Sequence, residues 1–286
     1  MEKILQWSIA SQSGDKEAME KIGAPTSEEL SKLFGAGGPD EPTLMKQSIA
    51  VVEHPEATLE AKETALDNFE MLVENLDNAN NIENLKLWPS IIAQLNGSES
   101  LSILAASIIG VATQNNPDSQ KAFLEKEDGL ASLIKLVNDE GTPRELLLKS
   151  LFAMSCLVRN YADATNLFAE LNGWEALHLQ SSHSDHKLLL RKLSLISALL
   201  STGLDDTKLE HFKKISFVDN LISAFDTENV GCIDKVLSII TQLHTLKYQF
   251  TSEEISRLAH KLDSVDHLKD RLTEDDFNTA RQVASS

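Results

Sequence analysis

Few residues in this chain have the type and spacing to do chemistry. His178, His183, Asp185 and His186 place three imidazoles and a carboxylate within nine residues, a donor set that a borderline metal accepts. The spacing matches no familiar ligand pattern, and Gln180–Ser–Ser–His–Ser–Asp–His186 reads as a polar loop between helices. Gly35–Ala–Gly–Gly–Pro–Asp–Glu–Pro42 has the glycine density of a phosphate cradle but lacks a Gly-Lys-Ser/Thr ending, and Pro39 and Pro42 stop a helix from opening there. It reads as a linker. No serine stands in a Gly-x-Ser-x-Gly elbow. Cys156 sits among Phe152, Met154 and Leu157 in an apolar helical run, and Cys232 in a similar one. Both read as small packed thiols, the pattern of a reducing compartment. Asp275 and Asp276 read as solvated or helix-terminal charge. No catalytic residue, metal or nucleotide cofactor is expected.

The elements that carry these residues are helical. Acidic residues number 44 against 26 basic, a formal charge of −18, and they are spread along the whole chain. That distribution argues against a phosphate-binding surface and against an anionic membrane face. No stretch reaches the roughly 18 to 20 apolar residues of a membrane span, and the first ten residues are too polar for a secretory core. A cytoplasmic protein without nucleic-acid or membrane partners is the expectation.

A repeat organises the chain. Runs beginning at Trp88, Leu130, Trp174 and Phe217 resemble one another and start 42, 44 and 43 residues apart. Phe123, Phe168 and Phe212 keep the same step, 45 and 44 apart, each just upstream of one run. Apolar residues recur at helical spacing, as in Leu147, Leu151, Met154, Leu157 and Val158. Asn116–Pro117 and Thr142–Pro143 read as caps ahead of a first-turn proline, and Thr251–Ser–Glu–Glu254 as a capping box. The period predicts an all-α, right-handed armadillo-type solenoid over residues 43–275, with four central repeats and helical caps. Residues 1–42 are expected to be a flexible N-terminal arm, and 276–286 a C-terminal tail.

Polar residues recur where the third helix of each unit ends: Asn75, Asn78 and Asn80; Gln114, Asn115 and Asn116; Arg159 and Asn160; then Arg191–Lys192. Each can be read as capping and solvation. Their recurrence along the ladder of third helices also suits an interaction surface.

Four stretches carry a family resemblance. They are Met1–Glu–Lys–Ile–Leu–Gln–Trp–Ser–Ile–Ala10 with Leu33–Phe–Gly–Ala–Gly–Gly–Pro–Asp40, then Asp67–Asn81, Ile108–Asn115 and Ser150–Arg159. Together they resemble the armadillo-type nucleotide exchange factors of heat shock protein 70, the heat shock protein 70-binding protein group, and most closely its fungal cytosolic members. The resemblance implies that a concave face grips one lobe of the chaperone's ATPase domain and opens its cleft, so that ADP leaves. It implies no chemistry on the exchange factor itself. It also implies that the N-terminal arm, through Leu5, Trp7 and Ile9, contacts the substrate-binding domain of the same chaperone and helps discharge clients. The expected grip is Asn75, Ala79, Asn80, Gln114, Asn115, Arg159, Asn160 and Arg191, with Ala79 small enough for close approach. Ala79→Arg with Arg191→Ala is expected to abolish binding and leave the fold intact. The runner-up is an armadillo scaffold holding an extended peptide, as import receptors do. It lacks their regular Trp and Asn ladder, since Trp7, Trp88 and Trp174 are the only tryptophans.

Overall fold

A computed structural model describes residues 19, 21–23, 39–179, 184–227 and 229–285. Leu5, Trp7, Ile9, His183 and residues 35–38 of the glycine linker lie outside the described residues. The chain divides into two compact units, Met1–Met45 and Lys46–Ser286, and the division falls inside the first described long helix, α1 (Glu41–Glu53).

From Leu59 onward the helices follow in threes. The first unit begins with its third helix, α2 (Leu59–Val73). Then come α3 (Leu76–Asn84), α4 (Trp88–Gln94) and α5 (Glu99–Thr113). The next triplet is α6 (Pro117–Leu124), α7 (Gly129–Asn138) and α8 (Arg144–Val158). It is followed by α9 (Ala162–Glu170), a 3-10 turn at Gly173–Leu177, and α10 (His186–Leu200). The last full triplet is α11 (Asp206–Lys214), α12 (Phe217–Ser223) and α13 (Val230–Thr245). Two helices close the chain, α14 (Ser252–Ser264) and α15 (Glu274–Val283). Each long helix packs on the next, α2 on α5, α5 on α8, α8 on α10, α10 on α13 and α13 on α15. An all-α solenoid results, with no strand among the described residues.

The period is written into the backbone as well as the side chains. Asn115, Asn160, Gly203 and Lys247 follow successive ladder helices and all have positive φ, at spacings of 45, 43 and 44. Lys86, Asp128, Asn172 and Ser216 close the first helix of each triplet in the same way, 42, 44 and 44 apart. A left-handed residue reverses the chain after a helix, and asparagine, aspartate and glycine tolerate it best.

Aromatic rings bond one triplet to the next. Trp88 meets Phe123 edge-on at 5.3 Å between centroids. Trp174 meets Phe168 at 5.5 Å and Phe212 at 6.2 Å and stacks on His211 at 4.7 Å, while Phe212 stacks on Phe217 at 4.0 Å. Of the phenylalanines that mark the period in the sequence, Phe123 and Phe212 therefore contact the preceding unit, while Phe168 packs on Trp174 within its own. Gly173 belongs to the same junction, because a Cβ there would overlap the Phe168 ring.

Three local expectations are corrected. Thr142 is not a cap: the helix starts at Arg144, with Pro143 in the N-cap position and no side chain bonding the first turn. The run from Trp174 winds as a 3-10 turn and not an α-helix. The boundary expected between solenoid and C-terminal tail, at 275/276, falls inside α15, which buries Phe277, Ala280 and Val283 and packs on α13. Asn116 does cap α6 ahead of Pro117, and Thr251 with Glu254 forms the reciprocal capping box.

Candidate partner-binding face

The loops at the C-terminal ends of the ladder helices are held from below by one buried polar residue per triplet. Asn78, Gln120, Thr165 and Lys208 stand 42, 45 and 43 residues apart in the first helices, each only 3 % exposed. Asn78 Nδ2 donates to Leu72 O at 2.9 Å. Thr165 Oγ1 faces Val158 O at 3.4 Å, and Lys208 Nζ donates to Gly203 O and Asp205 Oδ2, both at 2.9 Å. Gln120 differs: where the other three reach back to the preceding triplet, its Nε2 bonds the end of α8 in its own triplet, donating to the carbonyls of Cys156, Leu157 and Arg159 at 2.7, 3.2 and 3.0 Å. Carbonyls at a helix end lack the full set of intrahelical donors. Leu72 O and Val158 O also accept from the backbone N–H groups of Asn75 and Tyr161, and the clasps add a side-chain donor to them.

These clasps fix the expected grip residues. Asn75 is exposed and caps α3, accepting from the backbone N–H groups of Asp77 and Asn78. Gln114 and Asn115 are exposed at the end of α5. Arg159 is half-buried at the end of α8, and the Asn160 backbone N–H donates to Ser201 Oγ at 2.7 Å. Asn115 and Asn160 hold positive φ, so their recurrence has a backbone cause as well as any surface role. Asn80 lies off the ladder, in a groove between α3 and α6 lined also by Glu83, Asp118 and Ser119, and its Oδ1 accepts from Ser119 Oγ at 3.2 Å.

Ala79 departs from expectation. Its side chain is 3 % exposed, beneath the surface it was expected to offer. An arginine at that position has to displace packed neighbours, so Ala79→Arg is expected to perturb the fold locally. Arg191→Ala is the cleaner substitution.

Arg191 is positioned by three successive ladder helices. Its guanidinium carbon stands 5.2 Å from the Phe152 ring centroid. That ring lies over Gly110 of α5, where an added Cβ would overlap it and stand 3.3 Å from Ala153 Cα. Arg159 and Arg191 both act on the Cys156 thiol, yet burial prevails and pushes its pKa up to about 12, which makes it inert as a nucleophile.

The histidine cluster has other duties. Asp185 caps α10 through Leu188 N at 3.1 Å and pairs with Arg144, which holds its carboxyl down at about 2. His186 Nδ1 lies 3.3 Å from Asn229 Nδ2. Among the described residues no three His, Cys, Asp or Glu side chains come close enough to hold a metal ion. No described helix is long and apolar enough to cross a membrane.

Comparison with known proteins agrees with this architecture. Residues 1–82 match the family described as "Nucleotide exchange factor Fes1", and residues 78–220 match the "SIL1/FES1/HPBP1 C-terminal domain". A protein of Scheffersomyces stipitis described as "Hsp70 nucleotide exchange factor FES1" is 54 % identical over 288 residues, covering 100 % of both chains. The chain belongs to the Fes1 family. A Saccharomyces cerevisiae relative with the same description is 43 % identical, over 99 % of this chain and 100 % of its own. At the level of fold, a designed armadillo repeat protein superposes with a TM-score of 0.67 at 14 % identity, over 86 % of this chain and 98 % of its own. An engineered protein gives 0.71 at 11 %, over 86 % and 99 %.

Within this Fes1-family chain, Gly110 is a remote control on Arg191. Gly110→Ala is expected to swing Phe152 outward and remove the platform under the guanidinium, at a stability cost of about 1 kcal/mol. Thermal melts measure that cost, and hydrogen exchange in α8 and α10 should quicken around Phe152 and Arg191. A wild-type melting temperature would show that Phe152 yields without cost.

Proposed function

We propose that this chain releases ADP from a cytosolic Hsp70 by holding one lobe of the ATPase domain against its ladder face. Membership of the Fes1 family, across the full length of its relatives, is the observation that carries this reading. The exchange factor binds the open nucleotide cleft more tightly than the closed one and shifts the population by that difference. It makes and breaks no covalent bond. The grip is assigned to Asn75, Gln114, Asn115, Arg159, Asn160 and Arg191, with Asn80 at the edge and Ala79 beneath it. Arg159 and Arg191 suit surface carboxylates, because a guanidinium can bond a carboxylate through two parallel N–H groups.

The N-terminal arm, residues 1–42, is assigned a second task. Leu5, Trp7 and Ile9 supply the apolar side chains an extended client segment offers, so the arm competes for the substrate-binding domain of the same chaperone. The place of action is the cytoplasm.

Stopped-flow release of a fluorescent ADP analogue from a cytosolic Hsp70 tests the central claim. Release should accelerate with added protein and reach a plateau. An unchanged dwell time at saturating protein would falsify the reading.

A further inference from the structure

The repeat register that places Arg191 places two more cations beside it. Lys149 on α8, Arg191 on α10 and Lys235 on α13 are 42 and 44 residues apart, at equivalent positions of successive ladder helices. Each leans back on the preceding rung. Lys149 Nζ donates to Ser107 Oγ of α5 at 2.8 Å, Arg191 lies over Phe152 of α8, and Lys235 Nζ donates to Ser197 Oγ of α10 at 3.0 Å. Arg159 stands close enough to Lys235 for their like charges to be felt.

None of these four side chains is in an ion pair among the described residues, while Lys126, Arg144, Lys208, Arg257, Lys261 and Arg281 all are. That contrast matters in a chain with 44 acidic residues and 26 basic ones, where carboxylates are in excess. Lys149 is linked to a carboxylate only through Ser107, whose hydroxyl donates to Glu70 Oε1 at 2.6 Å. Lys235 has Asp234 and Asp276 within electrostatic reach but bonds neither. All four are half-buried, held in place by packing and still open to solvent.

We propose that Lys149, Arg191 and Lys235, with Arg159 alongside, form a basic rail that reads a row of carboxylates on the partner protein. Packed helices lie about 8–10 Å apart, so the rail presents one cation at each such step. Carboxylates two turns apart on a helix, about 11 Å, match that step closely. Phosphates on a nucleic-acid strand are spaced more tightly, and the excess negative charge elsewhere on the chain repels a polyanion. The proposal deepens the Hsp70 reading and rests on it: the rail adds Lys149 and Lys235 to the grip and makes an acidic patch the mark by which a chaperone is chosen.

The test uses the full chain in three forms, wild type, Lys149→Gln with Lys235→Gln, and Lys149→Glu with Lys235→Glu. Exposed Lys135→Glu on α7 serves as a control away from the rail. Calorimetry with the Hsp70 ATPase domain gives Kd at about 0.05 M and about 0.5 M salt, where screening differs most. The glutamine pair should raise Kd roughly tenfold at low salt and the glutamate pair roughly a hundredfold, and both should lose most of the wild-type salt dependence. A simply structural role for the lysines would change Tm without flattening the salt dependence. Wild-type protein that accelerates ADP release, together with variants equal to it in Kd and salt slope, overturns the rail and leaves the exchange function standing. Wild-type protein without effect on ADP release overturns the underlying reading instead. An RNA oligomer bound by wild type and lost by the glutamate pair would move the rail to a different class of partner and overturn the proposal.

Discussion

Replacing Gln120 with leucine is expected to lower the melting temperature by about 5–10 °C and to weaken nucleotide exchange at the same time. The side chain is buried and its amide N–H groups serve three carbonyls at the end of α8. Leucine is close in volume but donates nothing, so the cavity term is small and the loss is polar. A stranded buried carbonyl costs about 1–3 kcal/mol, and partial relaxation brings the total to about 2–4 kcal/mol. For a chain of this size each kcal/mol moves Tm by roughly 2–4 °C. One of the three carbonyls is that of Arg159, so the same change loosens from behind a residue of the proposed grip. Differential scanning calorimetry and the ADP-release assay measure the two effects together. A variant with wild-type Tm would mean that water replaces the clasp, and slower exchange alone would then need another cause.

Trp174→Ala should have the largest effect on stability, about 3–5 kcal/mol. The indole touches Phe168 before it and His211 and Phe212 after it, so one side chain serves the junction between two triplets. In a stack where each unit meets only its neighbours, such a loss stays at one interface. Hydrogen exchange should therefore quicken in α11–α15 well before α2–α6. Uniform quickening across the chain would show that the stack melts as one block.

Much of the fold was legible because its markers are large. Trp88, Phe123 and Phe212 keep the period as rings buried at a junction between units, and Phe168 keeps it as the ring buried against Trp174 within its own. The site was less legible, for particular physical reasons. Ala79 is small, and size alone does not separate a surface residue that admits a partner from one tucked beneath the surface. Asn115 and Asn160 recur partly because a left-handed turn favours asparagine, so a pattern read as recognition also has a local cause. Lys149 and Lys235 passed unnoticed although they share Arg191's register, because a lysine on an amphipathic helix is ordinarily solvent-facing and silent. Only the ladder shows each of them anchored on the rung before it. The last helix was hidden for the opposite reason: Glu274, Asp275 and Asp276 crowd its first turn and mask the sparse apolar face that follows.

The left-handed residues at Asn115, Asn160 and Gly203 mean that the two triplets between them, α6–α8 and α9–α10 with its 3-10 turn, are entered and left through the same backbone state. A segment excised between two such points rejoins like to like, and a duplicated one splices in without a new hinge. Chain length in this architecture is therefore an adjustable parameter, and the span of surface the molecule can embrace grows in whole increments as modules are gained.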